Sequence, residues 1–407
     1  MKIGCAAYHV HDPNLSFIRT DILQFAARYD RVLLFSTVEP DQAIKSVANI
    51  IVCSPALDWT RYRPVSLLTR YGLLLLVIWI GEMIAVRRWM PMGASIKKLI
   101  TNIFQAKEVL RVCREHKALD AIHYSFWWYD SVFLAWLRRK EGVHRTVTRT
   151  HGGDLYEERG SLKVDTLFRS YQLSGLDAVY SVSEAGTRYL KERYPAYRER
   201  IRTGYLGTAD HGMAPDPGSD APLVIVSCAK VRNIKRVHLI GEALEHVKGI
   251  HVRWVHFGGM ADPERDASVG RFMRTVERLR EQVNVQVQLM GEMNNDAILD
   301  WYRKQPANCF ISMSSTEGVP VSMMEAISFG IPVLSTDVGG CREIVNDRTG
   351  MLIPLDTPVD EVARIIEGFG KSRFSRPGFR KGVREEWANK FDAVSNYQKF
   401  FGELETN

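Results

Sequence analysis

The chain has 407 residues, of which 45% are hydrophobic and 25% are charged, and its formal net charge is +7. This length predicts two domains, and the composition is that of a soluble globular protein. The six cysteines are scattered without a Cys-x-x-Cys pair or a histidine at ligand spacing, which excludes a disulfide framework and a zinc site. The apolar part of the first residues is too short for a signal peptide, so we expect a cytoplasmic protein.

Strands and helices alternate along the first half of the chain. Apolar runs predict strands at 2–7, 31–36, 50–53, 121–125, 145–150 and 178–183, with helices at 15–28 and from about 184 to 194. Such alternation predicts a parallel sheet with helices on both faces. We therefore assign residues 1–209 to a Rossmann-like domain.

A basic and apolar segment, 61–117, interrupts this pattern. Residues 61–150 contain 16 Lys and Arg against 6 Asp and Glu, a local charge of +10, and enclose the apolar run 72–86. The run is shorter than the roughly 20 apolar residues of a spanning helix. Two interpretations stay open, a buried core helix and a helix lying in the plane of an anionic membrane surface. Nucleic acid is not an expected partner, because no recognition motif accompanies the charge.

The alternation restarts after a polar segment rich in Pro, Gly and Asp at 210–221, which we interpret as a linker. Strands are predicted at 223–227, 253–258, 285–291, 308–313 and 332–336, with helices at 237–247, 295–304 and 321–329. Residues 222–383 therefore form a second Rossmann-like domain. Residues 384–407 contain an amphipathic helix in which Trp387, Phe391, Val394, Tyr397 and Phe401 recur at helical spacing.

Two glutamates, Glu317 and Glu325, stand eight residues apart across a predicted strand-to-helix turn. Pro320 suits the first helical turn that follows. Ligands of open parallel sheets bind where the strands end, and a helix N-terminus favours phosphate there. The amides of Gly318 and Val319 are therefore candidate phosphate ligands. The competing interpretation makes both glutamates solvated charges on a helix face.

The surrounding string resembles the Glu-x7-Glu motif of retaining glycosyltransferases of family 4, which have the GT-B fold. The resemblance includes Glu317-Gly-x-Pro320, Glu325-Ala326, Gly330-x-Pro-Val333 and Gly339-Gly340-x-x-Glu343. It implies two doubly wound α/β domains facing across a cleft, with the C-terminal helix crossing back to the first domain. It also implies that the domain of residues 1–209 binds the acceptor and that of residues 222–383 binds a nucleotide-sugar. It also implies that Glu325 binds the ribose hydroxyls and Glu317 the sugar hydroxyls of a nucleotide-sugar.

The loop after strand 223–227 resembles the Gly-Arg-x4-Lys-Gly loop with which that family holds the donor diphosphate. Lys235 aligns with the family's lysine, Lys230 stands where arginine is usual, and Arg236 replaces the usual glycine. Two cations near a diphosphate would stabilise the charge that accumulates on the leaving group. The alternative for Lys230 and Lys235 is that both are ordinary surface cations.

His151-Gly-Gly-Asp154-Leu-Tyr closes a strand of the first domain and is similar to strings in bacterial glycosyltransferases of the colanic-acid or amylovoran type. The resemblance implies that His151 bonds the transferred sugar, with Asp154 as a candidate on the acceptor or sugar side. A core or capping histidine and an N-cap aspartate are the alternatives. The loop at 9–16 lacks the glycines usual in the family, so phosphate contacts from that side are in doubt.

These motifs predict a retaining, metal-independent hexosyltransferase that needs no cofactor, since no Asp-x-Asp pair stands at a strand end. We expect a nucleotide-sugar donor, a lipid-linked oligosaccharide acceptor of a bacterial surface polysaccharide, and a peripheral place at the inner face of the cell membrane. A nucleotide-sugar epimerase of the same architecture is one alternative. A non-catalytic, nucleotide-binding scaffold subunit is another.

Overall fold

Parallel sheets form the centre of both halves of the chain in the computed structural model, which describes residues 6–10, 12–13, 15–53, 64–86, 89–157, 167–218 and 221–406. Unit 1 comprises Met1–Tyr205 and Tyr397–Asn407, and unit 2 comprises Leu206–Asn396. The division after Tyr205 lies a few residues before the predicted boundary at 209.

Unit 1 has a seven-stranded parallel sheet among its described residues, in the order β3-β2-β1-β4-β5-β6-β7. Its strands are β1 (Ala6–Val10), β2 (Val32–Ser36), β3 (Ile50–Cys53), β4 (Ile122–Ser125), β5 (Thr146–Thr150), β6 (Ala178–Ser181) and β7 (Ile201–Thr203). Strands β2, β4 and β5 are buried along their whole length, as is typical of central strands in a parallel sheet. The strand predicted at 2–7 continues to Val10, and residues 1–5 lie outside the described part.

Helices cover this sheet. They are α1 (Ser16–Arg28), α2 (Gln42–Lys45), α3 (Pro64–Val86), α4 (Met92–Glu115), α5 (Val132–Glu141), α6 (Gly152–Leu155), α7 (Arg169–Gly175) and α8 (Glu184–Arg193). The predicted helices at 15–28 and 184–194 are confirmed as α1 and α8.

Helix α3 has one buried face and one exposed apolar face. Leu75, Trp79 and Glu82 are buried, and Leu75 and Trp79 belong to the core of unit 1. On the other face Leu73 is 78% exposed and Ile84 is 71% exposed. The helix is also long and apolar enough to cross a membrane, judged by length and composition alone. The core interpretation therefore holds for one face, and the membrane-surface interpretation stays a prediction for the other.

The described residues of unit 2 repeat the doubly wound pattern with a six-stranded parallel sheet in the order β10-β9-β8-β11-β12-β13. Its strands are β8 (Leu223–Cys228), β9 (Val252–Phe257), β10 (Val285–Gly291), β11 (Cys309–Ser312), β12 (Val333–Thr336) and β13 (Gly350–Ile353). The strand order reverses between β8 and β11, and such a switch point is where doubly wound sheets bind ligands.

The helices of unit 2 are α9 (Val237–Glu245), α10 (Ala267–Arg280), α11 (Asn295–Lys304), α12 (Val321–Ser328), α13 (Cys341–Ile344), α14 (Val359–Phe369) and α15 (Pro377–Lys390). Helix α11 matches its predicted bounds, because Asn294 is a clear N-cap whose side chain accepts from the Ala297 N–H. Pro320 is the N-cap residue of α12 rather than part of its first turn.

The C-terminal region differs from the single helix predicted at 384–401. The chain breaks at Phe391 and Asp392 between α15 and α16 (Ala393–Thr406), because the main chain of Phe391 accepts a hydrogen bond from Thr208. Val394, predicted on the apolar face, is 54% exposed. Residues from Tyr397 onward pack in unit 1, as the resemblance implied for the C-terminal helix.

The polar segment predicted as a linker is held against unit 2. The Arg380 guanidinium donates to the carbonyl oxygens of Ala214 and Pro215, and the Ala214 N–H donates to Phe329. Arg384 pairs with Asp210 at 2.5 Å. The described part of 210–221 is therefore anchored, because arginines more than 160 residues away satisfy its carbonyl groups; residues 219–220 lie outside the described part.

Candidate functional site

Two of the predicted loops meet at the switch point of unit 2. The loop after β8 carries Lys235, and the loop after β11 carries Glu317; their Nζ and Oε1 atoms are 2.5 Å apart. The Ser315 N–H donates to the Ile234 carbonyl at 2.8 Å, which joins the two backbones. Both charged side chains are only partly exposed, so Lys235 is not a free surface cation and Glu317 is not a solvated helix charge.

A pair of glycines fixes the turn that holds Glu317. The Gly340 N–H donates to the Gly318 carbonyl at 2.7 Å. A Cβ atom at Gly339 would lie 1.9 Å from the Glu317 carbonyl oxygen, and one at Gly340 would lie 2.2 Å from that of Gly318. Only glycine permits this approach, which explains why two glycines stand in this part of the motif.

The amides of Gly318 and Val319 follow Glu317 directly. Within the described part of the chain, no protein acceptor is found for either N–H group. Pro320, the third residue of the turn, has no N–H, and its carbonyl accepts from Met323 at the start of α12. The turn therefore offers two backbone donors next to the Lys235 ammonium, an arrangement suited to a phosphate group.

Glu325 lies behind this turn on α12. It is 7% exposed, and its Oε1 atom accepts a hydrogen bond from Asn295 Nδ2 at 2.7 Å. Burial raises the pKa of Glu325 to about 7, and the bond from Asn295 opposes that rise. The interpretation of Glu325 as a solvated helix charge is therefore wrong. A buried carboxylate with one polar partner has capacity to accept further hydrogen bonds.

Asn295 was not identified from the sequence as a site residue. It is the first residue of α11, next to the N-cap Asn294. The Asn294-Asn295 pair marks where α11 begins. The contact between Asn295 and Glu325, thirty residues later, depends instead on how α11 packs beside α12.

Lys230 and Arg236, which also stand in the loop after β8, differ in their surroundings. Lys230 is exposed, and no hydrogen bond or ion pair of its side chain is found among the described residues. Arg236 has φ +46°, the left-handed region, which accounts for the family's glycine at this position. Its guanidinium donates to the carbonyl oxygens of Met313 and Leu355 and thus braces the loop.

In unit 1, His151 follows β5 and occupies the N-cap position of α6. It is 8% exposed, and its ring stacks on Phe126 with 4.2 Å between the centroids. Its Nε2 atom is 2.9 Å from the Phe126 carbonyl oxygen, and because a carbonyl only accepts, Nε2 carries the hydrogen. Burial lowers the pKa of His151 to about 3, so the imidazole is neutral at physiological pH. Nδ1 is then a hydrogen-bond acceptor.

Asp154 organises the turn around His151. Its carboxylate accepts from the main-chain N–H of His151 at 2.6 Å and of Trp128 at 2.7 Å, and from the Thr150 hydroxyl at 2.9 Å. Asp154 is the third residue of α6. The interpretation of Asp154 as the N-cap is therefore wrong, because His151 occupies that position. Its three bonds join the segments after β4 and β5.

No group of three or more His, Cys, Asp or Glu side chains is arranged to hold a metal ion in the part of the chain that the structure describes. Of the loop predicted at 9–16, His9 and Val10 belong to β1, and His11 and Asn14 lie outside the described residues.

Comparison with known proteins identifies the second half of the chain. Residues 222–369 match the family model of Glycosyl transferases group 1. The chain is 31% identical over 171 residues to the putative colanic acid biosynthesis glycosyltransferase WcaL of Escherichia coli strain K12, with 39% of each chain covered. It is 34% identical over 126 residues to the O-antigen biosynthesis glycosyltransferase WbnH of Escherichia coli, covering 29% of this chain and 35% of WbnH. The matches span about two fifths or less of these relatives' lengths.

The whole fold has counterparts among solved structures. HepE of Anabaena, solved in complex with UDP and glucose, superposes with a TM-score of 0.71 at 16% identity, covering 99% of this chain and 100% of HepE. This likeness and the two parallel-sheet units confirm the expected fold class, and the matches to WcaL and WbnH confirm the expected resemblance. The chain has the GT-B fold, and its residues 222–369 match a glycosyl transferases group 1 domain.

Proposed function

We propose that the chain is a retaining glycosyltransferase of family 4 that transfers a hexose from a nucleotide-sugar to a glycan of a bacterial surface polysaccharide. The observation that carries this proposal is the unit 2 switch point, where Lys235 and Glu317 meet beside two backbone donors and in front of the buried Glu325. The names of WcaL and WbnH support a polysaccharide acceptor. The UDP bound by HepE supports a nucleotide-sugar donor.

The donor diphosphate would lie on Lys235 and the Gly318 and Val319 amides, with Lys230 as a second, more flexible cation. These groups stabilise negative charge, which grows on the diphosphate as its bond to the sugar breaks. They carry that charge with lysine and backbone dipoles, so we propose that no metal ion or other cofactor is required.

The ribose would lie against Glu325. Asn295 occupies one carboxylate oxygen and leaves the rest of the carboxylate to accept from ribose hydroxyls. Such charge-assisted hydrogen bonds are stronger than bonds between neutral groups. A buried carboxylate also gains more from them than an exposed one, because water does not compete.

Glu317 would bind the sugar. In the structure it is paired with Lys235, and a diphosphate on Lys235 would share that cation and free the Glu317 oxygens for sugar hydroxyls. The transition state would resemble an oxocarbenium ion, as in other glycosyl chemistry. A carboxylate next to it would stabilise the positive charge on the ring.

His151 would contribute from unit 1. Since its Nε2–H is taken by Phe126, its part is limited to accepting a hydrogen bond at Nδ1, which suits a sugar hydroxyl. A neutral imidazole of this kind does not donate a proton to a leaving group. Asp154 would act on the same turn by holding His151 in place.

The exposed face of α3 supports a peripheral place at the cytoplasmic face of the membrane. Leu73, Val77, Ile80 and Ile84 are exposed at helical spacing. The segment that contains α3 is basic, since residues 61–150 have a local charge of +10. An exposed apolar stripe in a basic segment fits an anionic lipid surface, where a lipid-linked acceptor would be found. The flanking arginines 61, 63, 87 and 88 lie outside the described residues.

The test begins with a panel of nucleotide-sugars, since a ligand that binds only the folded protein raises its melting temperature. The donor found is then incubated with and without lipid-linked acceptor, and the product's anomeric configuration is determined by NMR. Retained configuration with acceptor, unaffected by chelator, supports the proposal. Conversion of donor alone into an epimer would identify the epimerase alternative, and nucleotide binding without any turnover would identify the scaffold alternative.

A further inference from the structure

A buried arginine outside every recognised motif holds the turn that carries His151. Arg169, the first residue of α7, is 2% exposed. Its Nη1 atom donates to the Leu155 carbonyl at 2.6 Å, and its Nη2 atom donates to the Asp154 carbonyl. The guanidinium also lies over the Trp128 ring, 4.3 Å from its centroid. The planar fork of arginine thus spans two successive carbonyls at the end of α6, which a lysine could not do.

A second buried charge fixes α7 itself. Glu82 is 3% exposed, and its two oxygens accept from the main-chain N–H groups of Ser170 at 2.9 Å and Tyr171 at 2.8 Å. These are the two residues after Arg169, so Glu82 sets the position from which the arginine reaches α6. A carboxylate on an otherwise apolar helix is costly to bury, and its two amide partners offset that cost.

The backbone before Arg169 is strained. Phe168 is fully buried and has φ +68°, a left-handed conformation that is rare for a bulky residue. Such a conformation persists only where the surrounding contacts require it, and it is found preferentially at functional sites. Phe168 belongs to the core of unit 1 and directly precedes the arginine that holds the turn.

We propose that Arg169, anchored by Glu82, is a positioning residue that sets the orientation of His151 for the transfer reaction. This inference rests on the proposed function. Arg169 holds the carbonyls at the end of α6, while the Asp154 carboxylate at the same residue holds the His151 N–H. Loss of the guanidinium fork frees the turn without touching the nucleotide groups of unit 2. Small displacements of a positioned group are known to reduce turnover strongly.

The test compares Arg169→Lys and Glu82→Gln with a matched control, Arg200→Lys. Arg200 also donates to two carbonyls of the same region, those of Leu173 and Leu176, but at the far end of α7 from His151. We expect Arg169→Lys to lower kcat at least tenfold, with KM for the donor and the affinity for nucleoside diphosphate within twofold of the parent. Glu82→Gln changes kcat in the same direction, and Arg200→Lys leaves it unchanged.

Hydrogen exchange gives a readout that needs no turnover. We expect amides of residues 151–157 to exchange at least tenfold faster in Arg169→Lys and Glu82→Gln than in Arg200→Lys, at a similar melting temperature. Equal exchange in all three variants, or a kcat loss that only follows a general loss of stability, overturns the inference. If the parent transfers no sugar, the proposed function fails, and faster exchange confined to 151–157 still establishes that Arg169 positions the turn.

Discussion

Gly339 lies so close to Glu317 that a Cβ atom at position 339 would stand 1.9 Å from the Glu317 carbonyl oxygen. Its φ of +54° is also in the region that favours glycine. The loop after β12 therefore holds the turn of the first glutamate by direct backbone contact. This close approach is a steric reason why glycine stands at position 339 of the motif that contains Glu317.

The first prediction follows from that contact. Gly339→Ala should destabilise unit 2 by about 1–3 kcal/mol, because the methyl group forces the turn away and strains the backbone. Nucleoside diphosphate affinity should fall at least tenfold, as the Gly318 and Val319 amides move. Gly382→Ala is the control: it lies in α15 with no atom within 4 Å of a new Cβ, and helix propensity favours alanine there by up to about 1 kcal/mol. Urea unfolding and calorimetric titration measure both; equal effects of the two changes would contradict the steric argument.

The second prediction separates the two glutamates. Glu325→Ala should weaken nucleoside diphosphate binding by about 1.5–3 kcal/mol, on the order of ten- to a hundredfold, because ribose loses a charged acceptor. Glu317→Ala should leave that affinity nearly unchanged while turnover collapses, because Glu317 serves the sugar. Calorimetry with the diphosphate and transfer assays on both variants decide this. Parent-like binding together with parent-like turnover in both would show that the glutamates play no part.

The third prediction concerns pH. Burial raises the pKa of Glu325 to about 7 in the free protein, and ribose hydroxyls bind the carboxylate form. Below pH 7 the Glu325 carboxyl must lose its proton before it binds ribose. The affinity for nucleoside diphosphate is therefore full above pH 7 and is lost as the pH falls. Between pH 8 and pH 6 the dissociation constant for nucleoside diphosphate should rise about tenfold. Glu325→Gln serves as the control, since it retains only the titration of the nucleotide itself. Parallel pH profiles in parent and variant would remove Glu325 from the ribose site.

The fourth prediction tests the exposed face of α3. Binding to vesicles should increase with anionic lipid content and decrease with salt, since each basic residue near the surface contributes about 1 kcal/mol. The double change Leu73→Glu and Ile84→Glu should abolish co-sedimentation, because both side chains are exposed on this face. Val283→Glu is the matched control, a 95% exposed apolar residue of unit 2. Vesicle binding that survives the double change, or that is equal on neutral lipid, would exclude α3 as a lipid-binding face.

Much of the fold was readable from local sequence because the strands of parallel sheets are buried on both faces. The limits of strands such as β2 are set by apolar runs, and those of helices such as α11 by capping residues. The glutamate motif was readable because glycine and proline mark its turns, and the lysine loop was readable because it directly follows a predicted strand. In the polar segment 210–221, composition alone does not reveal the arginines that bind its carbonyls.

The amino-acid sequence by itself determined the alternation of strands and helices, the glycines of the site turn, and the identity of the two glutamates, since all of these are fixed by neighbours within about twenty residues. Only the tertiary structure decided that Lys235 meets Glu317 and that Asn295 holds Glu325. The same is true of Glu82, which holds the main chain of α7 directly after Arg169. Strand order and helix packing bring these pairs together across 30 to nearly 90 residues of chain. Hydrogen bonds over such separations depend on where whole elements pack, which local residue patterns do not encode.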